Sequence, residues 1–431
     1  MSEKKHKQRR RKERAKKEEP KVNKISDIKM AYIMYGKKVF VIPIVIAIIL
    51  GAIIWGIVYN ARKNNAPQET ADNQKEQINY IWGEIKPGNR NKNNFTTVTS
   101  SDGVQVPVPT GYTASSASDE NSVNGGFVIY EGTDAVTDSN KWDAQCNRNQ
   151  YVWIPIADVS DMYWRDQTTG KKYGTYYNFS TTGYTKGSNR SYEPQTTYYD
   201  KKSTYLTKYL NGMTREDFLM EMEIDFDKML NSVATYGGYY IGRYQAGDLA
   251  QATPVIKRMN TDRVSQTWYT MWKKSPRIST GGANVHMIWG IQWDETLKWL
   301  IDTGEKTYAE IGSNSTSWGN YSNNSFTYYT NTSKSTATKA SGSQTRIPSG
   351  AYEGANANNV FDLAGNVDDW TLESNNSGTG NYRCFRGGGY GTIGGADDTY
   401  GSNACPAAYR YGSYPYYSFD AIGLRCALYI K

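Results

Sequence analysis

The chain has 431 residues, a formal net charge of +8 and four cysteines, a length that allows two or three domains of average size. Residues 1–38 hold fifteen Lys and Arg against five Asp and Glu, and the other 35 basic and 37 acidic residues nearly cancel. The excess positive charge therefore belongs to an N-terminal tail and does not describe the body of the chain. The cysteines are too few to decide the redox compartment.

The composition favours large amphipathic rings over aliphatic side chains. Hydrophobic residues make up only 38% of the chain, yet it contains 36 Tyr and 12 Trp. This combination is typical of a folded, polar-surfaced domain that is rich in strands or irregular structure. We expect its core and its binding face both to use these rings.

The basic tail is followed by Val39–Tyr59, a run of 21 residues without a charge. A helix of this length spans the roughly 30 Å hydrocarbon core of a bilayer. Many basic residues precede it and only Arg62 and Lys63 follow closely, which predicts a cytoplasmic N-terminus. A cleaved signal peptide is less favoured, because the run is long and no small-residue cleavage site follows it. We expect a single-pass protein of the cell membrane, with its C-terminal domain extracytoplasmic and no nucleic acid as a partner.

Beyond the membrane segment, residues 60–100 are polar and predict a linker. Residues 101–431 are then expected to form the extracytoplasmic domain. The short apolar runs Phe127–Tyr130 and Tyr151–Ile156 are rich in β-branched and aromatic residues, which predicts strands. Gly237–Gly247 has glycines at both ends of a similar run and predicts another.

Helical periodicity appears in two places. Thr214 precedes two acidic residues and is expected to cap a helix; the apolar residues that recur at helical spacing after it are Phe218, Met222, Phe226, Met229 and Leu230. Gln292–Asp302 is amphipathic, and the tryptophans from Trp268 onward predict a further short helix. Two polar regions without periodicity, 165–210 and 311–346, predict surface insertions.

The sequence lacks the motifs of several common kinds of active site. Only two histidines exist, His6 in the tail and His286, and His286 precedes an apolar run that favours a structural role. The spacings of zinc ligands, a Walker loop and a dinucleotide fingerprint are absent. No helix-forming run follows the glycines of Arg386–Tyr390 to hold a phosphate. A hydrolase that relies on its own side chains is therefore not expected.

Several ordered motifs resemble those of the formylglycine-generating enzyme, or sulfatase-modifying factor, family. They are Tyr239–Tyr244 (YYIGRY), Asn359–Trp370 (NVFDLAGNVDDW), Arg386–Tyr390 (RGGGY), Ala408–Arg410 (AYR) and Ile422–Ala427 (IGLRCA). The resemblance covers most of the expected extracytoplasmic domain. It implies an α+β fold of the C-type-lectin-like kind, with little regular structure and long loops.

A calcium site is suggested by spacing and by the resemblance. Asp362 and Asp369 offer hard oxygen ligands a short distance apart, which suit calcium better than zinc, although a capped turn with solvated acids explains the spacing equally well. The resemblance adds the carbonyl groups of Gly365 and Val367 as ligands. Where this chain has Asp369, the family usually has Glu, which is one methylene longer.

The catalytic cysteines of the family are not found. Its oxidising members place a cysteine pair shortly after the glycine motif, whereas Tyr390–Ala396 contains none. Without a thiolate pair no copper site is expected, and formylglycine synthesis is not expected either. For Cys384, Cys405 and Cys426 we expect buried thiols or one disulfide. Cys146 is expected to be a free or buried thiol.

Residues 391–420 also resemble the rewritten segment of the variable proteins of diversity-generating retroelements, a branch of the same fold. Adenine-directed mutagenesis of Asn-type codons yields Tyr, Ser, Gly, Asp, Thr, Ala or Ile but never Lys, Glu, Gln or Trp, and the segment contains none of these four. Gly, Tyr and Ser are also common in such loops without mutagenesis. The alternation resembles an antibody paratope. The tyrosines expected to bind a ligand are Tyr390, Tyr400, Tyr409, Tyr411, Tyr414, Tyr416 and Tyr417.

The leading hypothesis is a membrane-anchored surface protein that displays a lectin-like domain. We expect the domain to bind an extracellular protein or glycan through the Tyr-rich segment, without catalysis. Two alternatives stay open. One is an enzyme of the same superfamily, either formylglycine-generating or a related oxidoreductase. The other is a structural envelope protein without a specific ligand.

Overall fold

A computed structural model describes residues 85–190, 208–261, 264–375, 382–395 and 404–431 of the protein. The predicted membrane segment Val39–Tyr59 and the candidate ligand residue Tyr400 lie outside these ranges. Within them, no helix is both long and apolar enough to cross a membrane.

Strands are the main regular element of the described residues. They are β1 Phe95–Thr99, β2 Gln105–Pro109, β3 Tyr112–Ala114, β4 Val128–Glu131, β5 Gln150–Pro155, β6 Tyr163–Arg165, β7 Lys172–Phe179, β8 Tyr184–Arg190, β9 Gly238–Gly242, β10 Ala283–Met287, β11 Phe326–Tyr329, β12 Thr336–Lys339, β13 Asn356–Ala357, β14 Val360–Phe361, β15 Asp368–Asn375, β16 Tyr382–Arg386, β17 Arg410–Ser413, β18 Ile422–Leu424 and β19 Cys426–Ile430. The α-helices are α1 Lys141–Asn147, α2 Arg215–Tyr236, α3 Trp268–Lys274, α4 Gly290–Asp302 and α5 Tyr308–Gly312. Short 3-10 helices lie at Val159–Asp161, Ser275–Ile278, Thr316–Trp318 and Glu353–Ala355. This mixture confirms the α+β class.

Helix α2 begins and ends at residues that the sequence marks. The Thr214 hydroxyl accepts a hydrogen bond from the Asp217 N–H at 3.1 Å, which satisfies one of the free donors of the first turn. Gly237 ends the helix with a φ of +85°, a left-handed conformation that favours glycine. All five periodic residues predicted as core are buried, and the helix packs against β9 and β19.

The larger sheet has six strands in the order β10-β19-β9-β5-β4-β3, and every neighbouring pair is antiparallel. Its strands β4, β5 and β9 confirm the three strand predictions made from short apolar runs. The C-terminal strand β19 lies between β10 and β9 and is buried throughout. The last residues of the chain are therefore part of the central core.

A second sheet of four strands, in the order β17-β16-β15-β18, carries most of the C-terminal motifs. Strand β18 is parallel to β15, and only Arg425 separates β18 from β19 of the larger sheet. The Arg425 guanidinium donates from Nη1 to the Gly242 carbonyl in β9 at 2.9 Å and from Nε to Asp369 Oδ2 in β15 at 3.0 Å. This buried residue therefore joins the two sheets at the point where the chain crosses between them.

The two regions predicted as surface insertions contain more structure than expected. Strands β6, β7 and β8 form an antiparallel sheet within the first, where Tyr177 is buried and Lys172 pairs with Asp227 at 2.9 Å. The second contains the β11–β12 hairpin and buries Trp318 and Tyr321. Apart from Leu210 and Ile311, the buried side chains described in these regions are aromatic, polar or charged, so no simple apolar period marks these elements.

Candidate functional site

One face of the four-stranded sheet carries a row of aromatic side chains that runs from the core to solvent. Trp370 in β15 lies opposite Phe385 in β16, and Phe385 lies opposite Tyr411 in β17. The ring centroids are 5.5 and 5.7 Å apart, and both pairs meet edge to face. Trp370 is fully buried, whereas Tyr411 is 57% exposed. The exposed Tyr411 ring thus packs on Phe385, which in turn packs on Trp370.

Tyr411 has a second aromatic neighbour on its own chain segment. The Tyr409 ring stacks on it with a centroid distance of 6.0 Å and an interplanar angle of 8°. Successive side chains of a strand point to opposite faces, so the residues on either side of Arg410 share one face. The two rings present a nearly parallel pair beside the sheet.

A second cluster of rings follows directly after β17. Tyr414 stacks on Tyr416 at 5.3 Å, Tyr416 meets Tyr417 at 4.7 Å, and Tyr417 meets Phe419 at 5.8 Å. Tyr414 also contacts Tyr382 of β16 at 4.6 Å. Tyr417 is 46% exposed. We refer to Tyr409, Tyr411, Tyr414, Tyr416 and Tyr417 together as the tyrosine face.

The loop that carries the second cluster is tied to the start of helix α3. The Trp268 N–H donates to the Pro415 carbonyl at 3.0 Å, and the Ser265 N–H donates to the Phe419 carbonyl at 2.8 Å. Trp268 itself is buried and donates from Nε1 to the Thr371 carbonyl at 2.8 Å. The loop backbone is therefore held by the core at two points.

Of the seven tyrosines predicted to bind a ligand, the structure places five in these two ring clusters, Tyr409 with Tyr411 and Tyr414 with Tyr416 and Tyr417. Tyr390 is half-buried and donates its backbone N–H to the Asn366 carbonyl at 2.9 Å; no ring contact joins it to the five. Two further rings of β16 contact these clusters: Phe385 contacts Tyr411, and Tyr382 contacts Tyr414. Nothing in the sequence around Tyr382 and Phe385 indicates these contacts.

The opposite side of β16 and β17 is held by buried charges. Arg386 Nη2 lies 2.6 Å from Asp294 Oδ1, and Arg410 Nη2 lies 2.6 Å from Asp294 Oδ2. Arg410 Nε is also 2.9 Å from Glu373 Oε1. Burial alone would lower the pKa of Arg410, but the Asp294 and Glu373 carboxylates raise it. These ion pairs bind β17 to helix α4 and to β15.

One of the predicted calcium ligands, Asp369, is paired with a guanidinium group. Asp369 Oδ2 accepts from Arg425, whose Nη2 also contacts the Phe361 and Asp362 carbonyls at 2.8 and 3.0 Å. Asp362 Oδ2 accepts at 2.8 Å from the Ser349 hydroxyl and from the Gly350 N–H.

Other contacts compete for the same oxygens. The Val367 carbonyl accepts from Gln245 Nε2 at 2.7 Å. Gly365 has a φ of +72°, and a Cβ there would meet the Asn320 carbonyl oxygen at 2.5 Å, so the turn requires glycine. Burial raises the pKa of Asp369 to about 6 although Arg425 opposes this.

The residues at this turn match a calcium site only in part. The ion takes six to eight oxygen ligands; Arg425 already occupies Asp369 Oδ2, whereas Asp362 Oδ1 and Asp369 Oδ1 are buried and accept no hydrogen bond in the described part of the chain. Among the described residues, no group of three or more His, Cys, Asp or Glu side chains is placed to hold a metal. Calcium binding at Asp362, Gly365, Val367 and Asp369 stays a prediction.

The cysteines are present as thiols. All four lie in the described part of the chain and none forms a disulfide bond there; Cys384, Cys405 and Cys426 are buried. Burial, aided by the Asp368 carboxylate, raises the pKa of Cys405 to about 11. The thiolate is the reactive form of cysteine, so Cys405 is a poor nucleophile at neutral pH. His286, which is buried, lies with its Nδ1 3.2 Å from Asp225 Oδ2.

Residues 292–430 match the family model described as the sulfatase-modifying factor enzyme 1-like domain. No curated protein matches the chain. Two similar solved structures are the crystal structure of CarF, at 12% identity, and Treponema denticola variable protein 1, at 14%. The first comparison covers 45% of this chain and 87% of CarF, and the second covers 44% and 84%. Each has a TM-score of 0.27, which does not establish a shared fold. The resemblance to the sulfatase-modifying factor family is confirmed through the C-terminal third, which carries the tyrosine face and its buried arginines.

Proposed function

We propose that the chain is a membrane-anchored surface protein whose C-terminal domain, of C-type-lectin-like fold, binds an extracellular protein or glycan without catalysis. The observation that supports this best is the exposure of Tyr411 and Tyr417, at 57% and 46%, on a segment whose backbone is held firmly. Tyrosine supplies a large contact area at low entropic cost because its side chain has only two rotatable angles.

The backbone that carries these rings is held by the core, which favours the rings as a binding surface. A side chain that is already ordered loses less freedom when a ligand binds. Arg410, between Tyr409 and Tyr411, is ion-paired in the core, and the Tyr414–Phe419 loop is tied to helix α3. The tyrosine face therefore needs little rearrangement to bind a partner.

The membrane anchor in this proposal rests on sequence. Val39–Tyr59 would span the bilayer, with residues 1–38 in the cytoplasm and the domain outside. Diversification of residues 391–420 is part of the same proposal. Diversification requires a neighbouring reverse-transcriptase gene and a near-copy of the coding segment that differs only at adenines. The genome sequence around the gene tests both requirements directly.

The full-length chain, purified in nanodiscs, can be screened on a glycan array and against purified cell-surface proteins. Each ligand found is then measured with Tyr411→Ala and Tyr417→Ala. A suitable control is Trp164→Ala, because Trp164 is 36% exposed and lies outside the tyrosine face. We expect the two Tyr variants to lose binding and the Trp variant to keep it. Ligands that bind all four proteins equally would contradict the proposal.

The family match favours one alternative, an enzyme of the formylglycine-generating type or a related oxidoreductase. Such an enzyme would oxidise a cysteine-containing peptide with O₂, and Cys405, which packs against Gly388 of the glycine motif, is the thiol to test. Incubation of the full chain with such a peptide, followed by mass spectrometry, distinguishes the two. Oxidised peptide that forms with the wild-type chain but not with Cys405→Ser would show that the protein is an enzyme. The binding proposal would then be wrong.

A further inference from the structure

A cavity of about 350 Å³ lies outside the tyrosine face, between the end of β5 and one side of helix α4. Its walls combine carboxylates with apolar and aromatic side chains; the lining includes Pro155, Ile156, Asp158, Asp161, Glu295, Lys298, Trp299 and Asp302. Cavities of roughly 300–1,000 Å³ with apolar walls and a few polar groups are typical of small-molecule sites.

The cavity has a buried floor and an open rim. Glu295 and Trp299 are only 7% and 6% exposed, whereas the side chains of Asp161 and Asp302 are 54% and 52% exposed. Two of the rim acids have a lysine partner: Asp161 pairs with Lys186 at 2.6 Å and Asp302 with Lys298 at 2.5 Å. The third, Asp158, is exposed to solvent and accepts a hydrogen bond from the Ser160 N–H at 2.8 Å.

Glu295 differs from the rim acids because it is buried and, among the described residues, forms no ion pair. Its Oε1 accepts a hydrogen bond from the Tyr177 hydroxyl at 2.6 Å. In the ranges of the chain that the structure describes, its Oε2 has no hydrogen-bond donor, and Glu295 takes part in no ion pair. Buried carboxylates in proteins are normally paired with a positive charge. A carboxylate that lines a cavity and lacks such a partner is prepared to receive one from a ligand.

We propose that this cavity binds a small organic molecule with a protonated amine, whose ammonium group pairs with Glu295 and whose apolar part contacts Trp299, Pro155 and Ile156. A bare divalent cation fits less well, because Glu295 is the one buried carboxylate among the lining residues and much of the wall is apolar. The site is separate from the tyrosine face and does not depend on its function.

The protonation state of Glu295 predicts that amine binding depends on pH. Burial raises its pKa to about 7; Tyr177 and Lys298 oppose the shift, and Asp161 and Asp294 add to it. An alkylamine stays charged well above this pH, since its pKa is about 10. Binding of the amine is therefore expected to strengthen as the pH rises from 6 to 8, when Glu295 becomes ionised.

The test uses the full chain in nanodiscs, with pentylamine as the probe and 1-pentanol as its uncharged counterpart, measured by calorimetry. We expect saturable binding of pentylamine at pH 8, weaker binding at pH 6, and at least tenfold weaker binding of pentanol. Glu295→Gln keeps an acceptor for the Tyr177 hydroxyl and is expected to weaken amine binding at least tenfold and to remove the pH dependence. Asp134→Asn, an exposed carboxylate outside the cavity, is the control.

Equal binding of amine and alcohol would overturn the proposal, and so would unchanged affinity in Glu295→Gln. Tight binding of CaCl₂ that displaces pentylamine would assign the cavity to a metal instead. If Glu295→Gln does not fold, Asp302→Asn at the rim replaces it. This variant is expected to bind pentylamine about threefold more weakly than the wild type. An unchanged affinity would contradict the site.

Discussion

Arg410 Nη2 lies 2.6 Å from Asp294 Oδ2, and both side chains are more than nine-tenths buried. Arg410 stands between Tyr409 and Tyr411, so strand β17 turns its charge towards helix α4 and its rings to the other side. Glu373 and Arg386 complete the cluster. The buried ions and the rings of Tyr409 and Tyr411 therefore lie on two sides of the same segment, and the stability of the ion pairs supports the geometry of these two rings.

Asp294→Ala tests the anchoring of β17. The change leaves Arg386 and Arg410 buried with Glu373 as their remaining carboxylate partner in the cluster. Breaking a buried pair in this way typically costs about 3–5 kcal/mol. We expect a loss of this size in the free energy of unfolding measured with urea. Asp302→Ala, which breaks a surface pair with Lys298, should cost less than about 1 kcal/mol. Similar losses in both variants would show that the cluster does not hold the domain.

Arg425→Lys tests the junction between the two sheets. The guanidinium serves the Asp369 carboxylate and the Gly242, Phe361 and Asp362 carbonyls at once. A lysine cannot reproduce this planar set of donors, and each acceptor left without a partner costs about 1–3 kcal/mol. A clear fall in melting temperature is expected. Arg346→Lys is the control, because Arg346 makes one exposed hydrogen bond, to the Asp420 carbonyl, and should melt as the wild type does.

Removal of divalent metal is expected to leave the melting temperature unchanged. Arg425 already neutralises Asp369, so the Asp362–Asp369 turn does not need a cation to be stable. The measurement is a thermal melt of the full chain with EDTA and with added CaCl₂. A drop in melting temperature with EDTA that CaCl₂ restores would establish the calcium site.

Glu295 is expected to make stability depend on pH near neutrality. Burial raises its folded-state pKa from the usual 4.5 to about 7, so the folded protein holds the proton more tightly than the unfolded chain. The stabilisation is complete below about pH 4.5 and is lost as the pH rises through 7, with an upper bound of roughly 3 kcal/mol. Urea unfolding of wild type and Glu295→Gln between pH 5 and 8 measures it. The difference between the two curves should change over this range, and parallel curves would contradict the shift.

The sequence predicted those elements whose signal is local. Helix α2 has a cap at Thr214, a run of buried residues at helical spacing and a terminating Gly237, and each of these can be recognised without knowing the fold. The same is true of β4, β5 and β9, which are short, apolar and mostly buried.

The sequence could not predict contacts that join distant segments. Asp294 and Arg410 are 116 residues apart, and neither has a neighbour in sequence that marks it as buried. Strand β7 was missed because its buried Lys172 is neutralised by Asp227 of α2, a pairing that only the fold creates. Five tyrosines of the candidate site could be named from composition, but not the support that they receive from Tyr382 and Phe385.

The most direct test compares ligand affinity with stability in Tyr411→Ala, Tyr417→Ala and the double variant. If the tyrosine face binds the ligand, affinity should fall by more than about 30-fold, as for residues that dominate an interface. The melting temperature should hardly change, because loss of one aromatic pair costs only about 0.5–1.5 kcal/mol. Trp164→Ala should match the wild type in affinity. Affinity that survives in the double variant, or that falls only in step with the melting temperature, would contradict a binding role for these rings.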